Sequence, residues 1–177
     1  MNVYKTKING VLIIGFKIIK DARGFFCEIY NLKKLNKFIK KKFVQENLSY
    51  SKKKGTFRGM HFQEGKSSQS KLLWVIKGEI DDYIFDMRKK SPTYGKLIKI
   101  NINEKNNKLI FIPEGCAHGF LTKKNNTIIN YKVTKTFNKK KDKGLYFKSI
   151  NLNLPNNIII SDKDKNLPNF NHKQKYF

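Results

Sequence analysis

Acidic residues are scarce in this chain: 13 Asp and Glu face 38 Lys and Arg, a formal charge of +25 at pH 7. Cysteine is scarcer, with only Cys27 and Cys116, so no disulfide framework is available and two free thiols in a reducing compartment are expected. No window approaches the roughly 20 apolar residues that a helical bilayer span requires. The start, Met1-Asn2-Val3-Tyr4-Lys5, lacks the charged-then-apolar layout of a secretion signal, which places the chain in the cytoplasm with no membrane partner. Linkers rich in Gly, Ser or Pro are absent, as is any repeat of fixed period. The 177 residues therefore read as one domain over 1–177, with 165–177 a tail that carries little signal.

What is abundant is lysine, and it is spread over the whole chain beside many Asn and Ile. Runs such as Lys40-Lys41-Lys42, Lys52-Lys53-Lys54 and Lys139-Lys140-Lys141 read as loops and a helix end. A diffuse cationic surface of this kind lacks the stripe or patch of a nucleic-acid binder, so no specific nucleic-acid partner is expected. The 14 Phe and 8 Tyr exclude intrinsic disorder.

Periodicity is mostly two. Ile98, Ile100 and Ile102 alternate with Lys99, Asn101 and Asn103, the signature of an antiparallel strand with one wet face, while Leu72-Leu73-Trp74-Val75-Ile76 reads as a strand covered on both sides. Helical spacing appears once, at Leu32, Leu35, Phe38 and Ile39 behind Asn31, a plausible N-cap. Turn signals such as Asp21-Ala22-Arg23-Gly24, Lys77-Gly78 and Pro113-Glu114-Gly115 separate the runs. The fold expected is all-β: an antiparallel sandwich or barrel with one or two short helices.

Where lysine is the default cation, the arginines that remain, Arg23, Arg58 and Arg88, belong where a planar fork must meet phosphate or carboxylate. Arg58 stands three residues before His61 in Phe57-Arg58-Gly59-Met60-His61-Phe62-Gln63. On a regular strand these two side chains face opposite sides, and a bulge at Gly59 would bring them to one. His118 follows the turn Pro113-Glu114-Gly115 and precedes Gly119, whereas His172 lies in the Lys- and Asn-rich tail as a solvated residue. Two imidazoles are too few to fill a metal site, so no metal and no cofactor are expected, and His61 and His118 are left as proton carriers. Such an imidazole removes an activated C–H proton when a neighbour delocalises the charge. Taken alone, Tyr131, which shares a strand face with Ile129 and Val133, reads as a core tyrosine, and Lys71 as a surface lysine.

The segments Asp21-Ala22-Arg23-Gly24-Phe25-Phe26-Cys27-Glu28, Phe43-Val44-Gln45-Glu46-Asn47-Leu48-Ser49, Phe57 to Gln63, Gln69-Ser70-Lys71-Leu72, Ser91 to Gly95, Ile112 to Phe120, Tyr131-Lys132 and Ser161-Asp162-Lys163-Asp164 run in one order over residues 10 to 165. In them the chain resembles the nucleotide-sugar 3,5-epimerases of the cupin type, the dTDP-4-dehydrorhamnose 3,5-epimerase family. The resemblance implies a metal-free jelly-roll barrel, a homodimer whose N-terminal strands cross into the partner, and a nucleoside diphosphate 4-keto-6-deoxy sugar as substrate. By similarity His61 is the base, Tyr131 the acid, Asp164 the carboxylate that orients the imidazole, and Lys71 the cation at the 4-oxygen, with His118 assisting. Arg23 and Arg58 would grip the diphosphate. Glu28, Gln45, Asn47 and Lys163 match positions that contact nucleotide or sugar, and Phe26 and Phe137 would stack on the base.

The chain departs from the family pattern in places. Lys143 stands before Gly144 where an acidic residue is usual, with Asp142 one place earlier; Asp81 replaces an apolar residue; and Tyr146-Phe147-Lys148-Ser149 lacks the usual Trp-Asn-Asp. The roles of Asp82 and Asp86 stay open. A monoepimerase, a relative acting on another nucleotide sugar, and a non-catalytic sugar-binding barrel are the alternatives.

Overall fold

A computed structural model describes residues 1–177. Strands β1 (Asn2–Lys5), β2 (Leu12–Gly15), β5 (Gln45–Ser51), β7 (Lys71–Lys77), β10 (Lys108–Ile112) and β12 (Thr127–Val133) form a six-stranded sheet in the order β1-β2-β10-β7-β12-β5. Strands β6 (Phe57–Gln63), β8 (Glu79–Asp86), β9 (Leu97–Asn103), β11 (Cys116–Thr122) and β13 (Asp142–Gly144) form a second, in the order β13-β6-β11-β8-β9. All pairings in both are antiparallel. The result is a cupin-like jelly roll. A third element, the hairpin of β3 (Ile18–Asp21) and β4 (Gly24–Cys27), pairs only with itself.

Strand alternation explains how the sheets meet. Leu73, Val75, Ile110, Ile112 and Ile129 of the first sheet pack against Ile80, Ile84, Ile102 and Phe120 of the second. Each fully buried aliphatic side chain here contributes roughly 1.5–3 kcal/mol. Ile98, Ile100 and Ile102 of β9 face this core, while Lys99 and Asn101 face outward, as their alternation implies. On the outer face of the six-stranded sheet, Leu72, Trp74, Leu109 and Phe111 are covered by Leu35 and Ile39, so β7 is buried on both sides as far as Val75. Asn31 caps α1 (Leu32–Leu35) by accepting from the Lys34 N–H at 3.0 Å, and the helix ends after one turn.

The outer face of the five-stranded sheet holds Phe57, Met60, Phe62, Tyr83, Phe85 and Met87. The C-terminal residues, which carry little sequence signal, cover it. Phe170 meets Phe85 at 4.9 Å between ring centroids, Phe177 meets Phe62 at 5.5 Å, and the His172 ring lies 4.6 Å from Phe170. Two free cysteines, no helix long and apolar enough to cross a membrane, and no group of three or more His, Cys, Asp or Glu able to hold a metal complete the description.

Candidate active site

The polar counterpart of the apolar core lies between the same two sheets. It begins with β6. Along this strand Arg58 pairs with Phe120 of β11 and His61 with His118, so two residues, Gly59 and Met60, oppose the single Gly119. The extra residue is a β-bulge, and it returns Arg58 and His61 to one face. Glycine is required on both sides of it: Gly59 has φ +144° and a Cβ there would lie 2.5 Å from the Gly119 Cα, while a Cβ on Gly119 would meet Met60 Sδ at 2.8 Å. The bulge also turns the Gly59 N–H toward the site, where it donates to Asp164 Oδ2 at 3.1 Å.

Asp164 arrives on the single turn of α2 (Asp162–Lys165), whose N-cap Ser161 accepts from the Asp164 N–H at 3.1 Å. Its Oδ1 stands 2.9 Å from His61 Nε2. Burial alone would raise the Asp164 carboxyl, but the His61 hydrogen bond and charge, the Gly59 N–H and Ser161 together hold it below the ordinary carboxylate value. An ionised Asp164 fixes the Nε2–H tautomer, and His61 Nδ1 is left with no partner in the protein. His61 lines a cavity between the two sheets, and an imidazole nitrogen with no partner is free to accept a proton.

Across from His61, Tyr131 rises from β12, between Asn47 of β5 and Leu73 of β7. Burial raises its phenol, with Asp142 adding to the effect, so it keeps its proton at neutral pH. Lys71 opens β7, its ammonium held by one long hydrogen bond of 3.5 Å to the His61 carbonyl. Burial pulls Lys71 down to about 8. His118 is tied through Nε2 to Asp82 Oδ1 at 2.6 Å and is lowered, first by burial.

These side chains enclose two adjoining lobes. The inner, of about 330 Å³, is walled by Arg58, His61, Lys71, His118, Tyr131 and Asp164; the outer, of about 470 Å³, by Gln45, Asn47, Gln69, Phe137, Asp142 and Lys163. His61, Lys71, Tyr131 and Lys163 belong to both. Arg58 is held at the rim by Ser51 Oγ at 3.3 Å and the Tyr50 carbonyl at 3.0 Å. Gln45 binds Asn47 at 2.8 Å and accepts from the Phe137 N–H at 2.8 Å, and Lys163 meets Asp142 at 2.8 Å. Ten of the residues singled out in the sequence thus come together. Three do not: Arg23 is 90% exposed and paired only to Asp21, Phe26 is 68% exposed on the same hairpin, and Glu28 is engaged by Lys34 and Asn31.

The model of the family described as dTDP-4-dehydrorhamnose 3,5-epimerase matches residues 5–172. The chain is 41% identical over 171 residues to the dTDP-4-dehydrorhamnose 3,5-epimerase of Shigella flexneri, covering 94% of each, and 38% identical over 169 residues to that of Methanothermobacter thermautotrophicus, covering 92% of this chain and 90% of that one. The solved Bacillus anthracis enzyme, with TDP and PPi bound, superposes with a TM-score of 0.91 at 37% identity, over 96% of this chain and 99% of that one. A Legionella pneumophila epimerase in complex with dTDP-4-keto-L-rhamnose does so with 0.87 at 31%, over 96% and 98%. The chain belongs to the dTDP-4-dehydrorhamnose 3,5-epimerase family.

Against the dTDP-4-dehydrorhamnose 3,5-epimerase pattern, the departure before Gly144 changes meaning. Lys143 pairs with Phe62 and its side chain is exposed, whereas Asp142, opposite Gln63, lines the outer lobe. The site has its carboxylate after all, one position earlier than the linear motif placed it. Counting by two from Gly144 along β13 was the signal available. Asp81 lies on the outer face of β8, bonded by Asn101 at 3.1 Å, and takes no part in the site. Asp86 is likewise structural, gripping Arg88 at 2.7 Å and the hydroxyls of Ser91 and Thr93.

Proposed function

We propose that this chain inverts C3 and C5 of a dTDP-linked 4-keto-6-deoxyhexose, of the kind converted to the 4-dehydro-L-rhamnose sugar used in cell-surface polysaccharide. One observation carries the reading: His61 from the five-stranded sheet and Tyr131 from the six-stranded sheet enter one cavity from opposite sides, and Lys71 lines the same cavity. The ketone acidifies the hydrogens at C3 and C5. His61 Nδ1 takes the proton from one ring face while Asp164 steadies the imidazolium that forms. The electron pair moves onto the 4-oxygen, where the Lys71 ammonium meets a charge that exists only after proton loss. Tyr131 then delivers its proton to the carbon from the other face. His61 then releases its proton to solvent and Tyr131 takes one back, and with both reset the cycle repeats at the second carbon.

The outer lobe takes the nucleotide. Lys163, shared by both lobes, and Arg58, from the inner one, meet the diphosphate, Gln45, Asn47 and Asp142 address base and sugar, and the half-exposed Phe137 offers a stacking surface. Arg23, Phe26 and Glu28 lie outside this chain's own cavity on a hairpin that pairs with nothing else, and we assign them to the pocket of a second copy in a homodimer. The free Cys27 and Cys116 suit a cytoplasmic enzyme.

The deciding experiment gives the purified protein dTDP-4-keto-6-deoxyglucose in deuterated water. Label is expected at both C3 and C5 with inversion at each. Label at one carbon selects a monoepimerase, and none with any keto sugar nucleotide refutes the enzyme reading.

A further inference from the structure

Asp82 interrupts the apolar inner face of β8 between Ile80 and Ile84, and no part of it reaches solvent. Oδ1 is taken by His118 Nε2 at 2.6 Å, but Oδ2 has no hydrogen-bond partner. A carboxylate half-satisfied at such depth is strongly unfavourable unless its charge is used. Burial lowers His118, so the imidazole facing Asp82 is neutral at pH 7 and does not cancel that charge.

The unmatched cation in the inner lobe, where His118 also lies, is Lys71, whose ammonium forms no salt bridge and only the long bond to the His61 carbonyl. Other groups face it. From β11 comes Cys116, whose thiol burial pushes up to about 12, so it is uncharged at pH 7. Tyr131 on β12 keeps its proton, and His61 on β6 is tied to Asp164. Asp142 on β13 is engaged by Lys163 of α2 at 2.8 Å. That leaves Asp82 as the carboxylate with no competing cation.

We propose that Asp82 is a positioning residue for the epimerisation: it anchors His118 through Nε2, and its charge holds Lys71 as the ammonium that meets the sugar's 4-oxygen. The assignment rests on the epimerase reading above. Two Asp–His pairs then serve one pocket differently. Asp164 prepares a base, and Asp82 prepares the place where the negative charge goes.

Asp82→Asn keeps the shape and the acceptor for His118 while removing the charge. Acetylation of Lys71 by acetic anhydride, read at its own peptide by mass spectrometry across pH, reports the ammonium without reference to activity. Its midpoint is expected to fall by about one pH unit in Asp82→Asn. With dTDP-4-keto-6-deoxyglucose, kcat is expected to change little below about pH 6, to fall about twofold near pH 7 and to fall about tenfold by about pH 9, with KM changed less than about threefold. A Lys71 midpoint that does not move in Asp82→Asn overturns the inference, as does a kcat that at about pH 9 stays within twofold of the parent. Should Asp82→Asn not fold, Asp82→Glu decides: it retains the charge, its midpoint is expected at or above the parent's, and a lower one overturns the inference. An inactive parent whose Lys71 midpoint still follows Asp82 refutes the epimerase reading and supports the charge coupling, so the two failures are told apart.

Discussion

Replacing Asp164 by Asn tests the base most sharply, because the structure dictates which way the amide must turn. The carboxylate serves two donors, His61 Nε2 at 2.9 Å and the Gly59 N–H at 3.1 Å. Asn has one oxygen for them. Facing the oxygen to His61 would leave the Gly59 N–H opposite an NH₂, and an unsatisfied buried donor is disfavoured by about 1–3 kcal/mol. The oxygen therefore stays with Gly59 and the NH₂ turns to His61 Nε2. This forces the ring proton onto Nδ1, the nitrogen that must accept from carbon. The tautomer alone removes a factor of about 5 to 150, and loss of the anion beside a developing imidazolium removes more, for a total near 10²–10⁴ in kcat, about 3–5 kcal/mol. Deuterium wash-in at C3 and C5 measures it, and both positions are expected to slow by the same factor. Rates within fivefold of the parent, or loss at one carbon only, would refute the account. Stability gives a second readout. The Asp164 pKa is depressed in the folded state, so its contribution is complete above the unfolded value of about 3.9 and is lost as pH falls through the folded one. The stability gap between parent and Asp164→Asn is accordingly expected to be flat at neutral pH and to close under acid.

If Lys71 acts as the ammonium at the 4-oxygen, its titration at about 8, lowered by burial, makes kcat decline as pH rises through that region in the parent; a flat profile to pH 10 would contradict the role, as would a Lys71→Met variant retaining more than about a tenth of kcat. Gly59→Ala drives a Cβ to 2.5 Å from the Gly119 Cα at a φ of +144°, and is expected to remove about 3 kcal/mol or more, roughly 6–12 °C of Tm; a melt within 2 °C of the parent would show that the bulge tolerates a side chain. If the β3–β4 hairpin completes a neighbour's pocket, Arg23→Ala and His61→Ala, each inactive alone, are expected to regain about a quarter of parental activity when mixed and re-equilibrated as dimers, since one site in the heterodimer is then intact. No recovery across mixing ratios would return Arg23 to its own chain.

The inward pattern of the strands was legible because burial on one face writes a period of two, as at Ile98, Ile100 and Ile102. So was the bulge, once the family resemblance put Arg58 and His61 in one pocket: their spacing on a regular strand conflicts with that, and Gly59 is the residue that resolves such a conflict. Two things were hidden for physical reasons. Asp142 was masked by its neighbour, because position in a motif says less than side-chain parity on a three-residue strand whose partner is remote in sequence. The closing of the C-terminal residues over Phe62 and Phe85 depends on aromatic contacts across as many as 115 positions, from Phe62 to Phe177, within a polar, Lys-rich stretch that has no period of its own. Asp82 left a trace, a carboxylate in the apolar register of β8, but register alone does not separate a pocket carboxylate from a strand-end structural group, and its role stayed open.

Inversion needs a proton to leave through one face of the sugar ring and return through the other, and a single sheet presents its inward side chains from one side only. Two facing sheets supply both sides at once, His61 from one and Tyr131 from the other. The two halves of the reaction are therefore separable by removing one sheet's contribution. In Tyr131→Phe the base and the Lys71 ammonium remain, so proton loss to the imidazole continues and the enolate still forms. The acid left on the face of departure is His61 itself, now carrying solvent deuterium after exchange. Reprotonation then comes from the face of departure, and deuterium is expected to accumulate in recovered substrate with its original configuration while inverted product falls by about 10²-fold or more. Nuclear magnetic resonance of the sugar ring distinguishes retained from inverted label at each carbon. If the phenylalanine variant gives inverted product at the parental rate, water or another side chain is the acid, and the pairing of opposite sheets does not explain the stereochemistry.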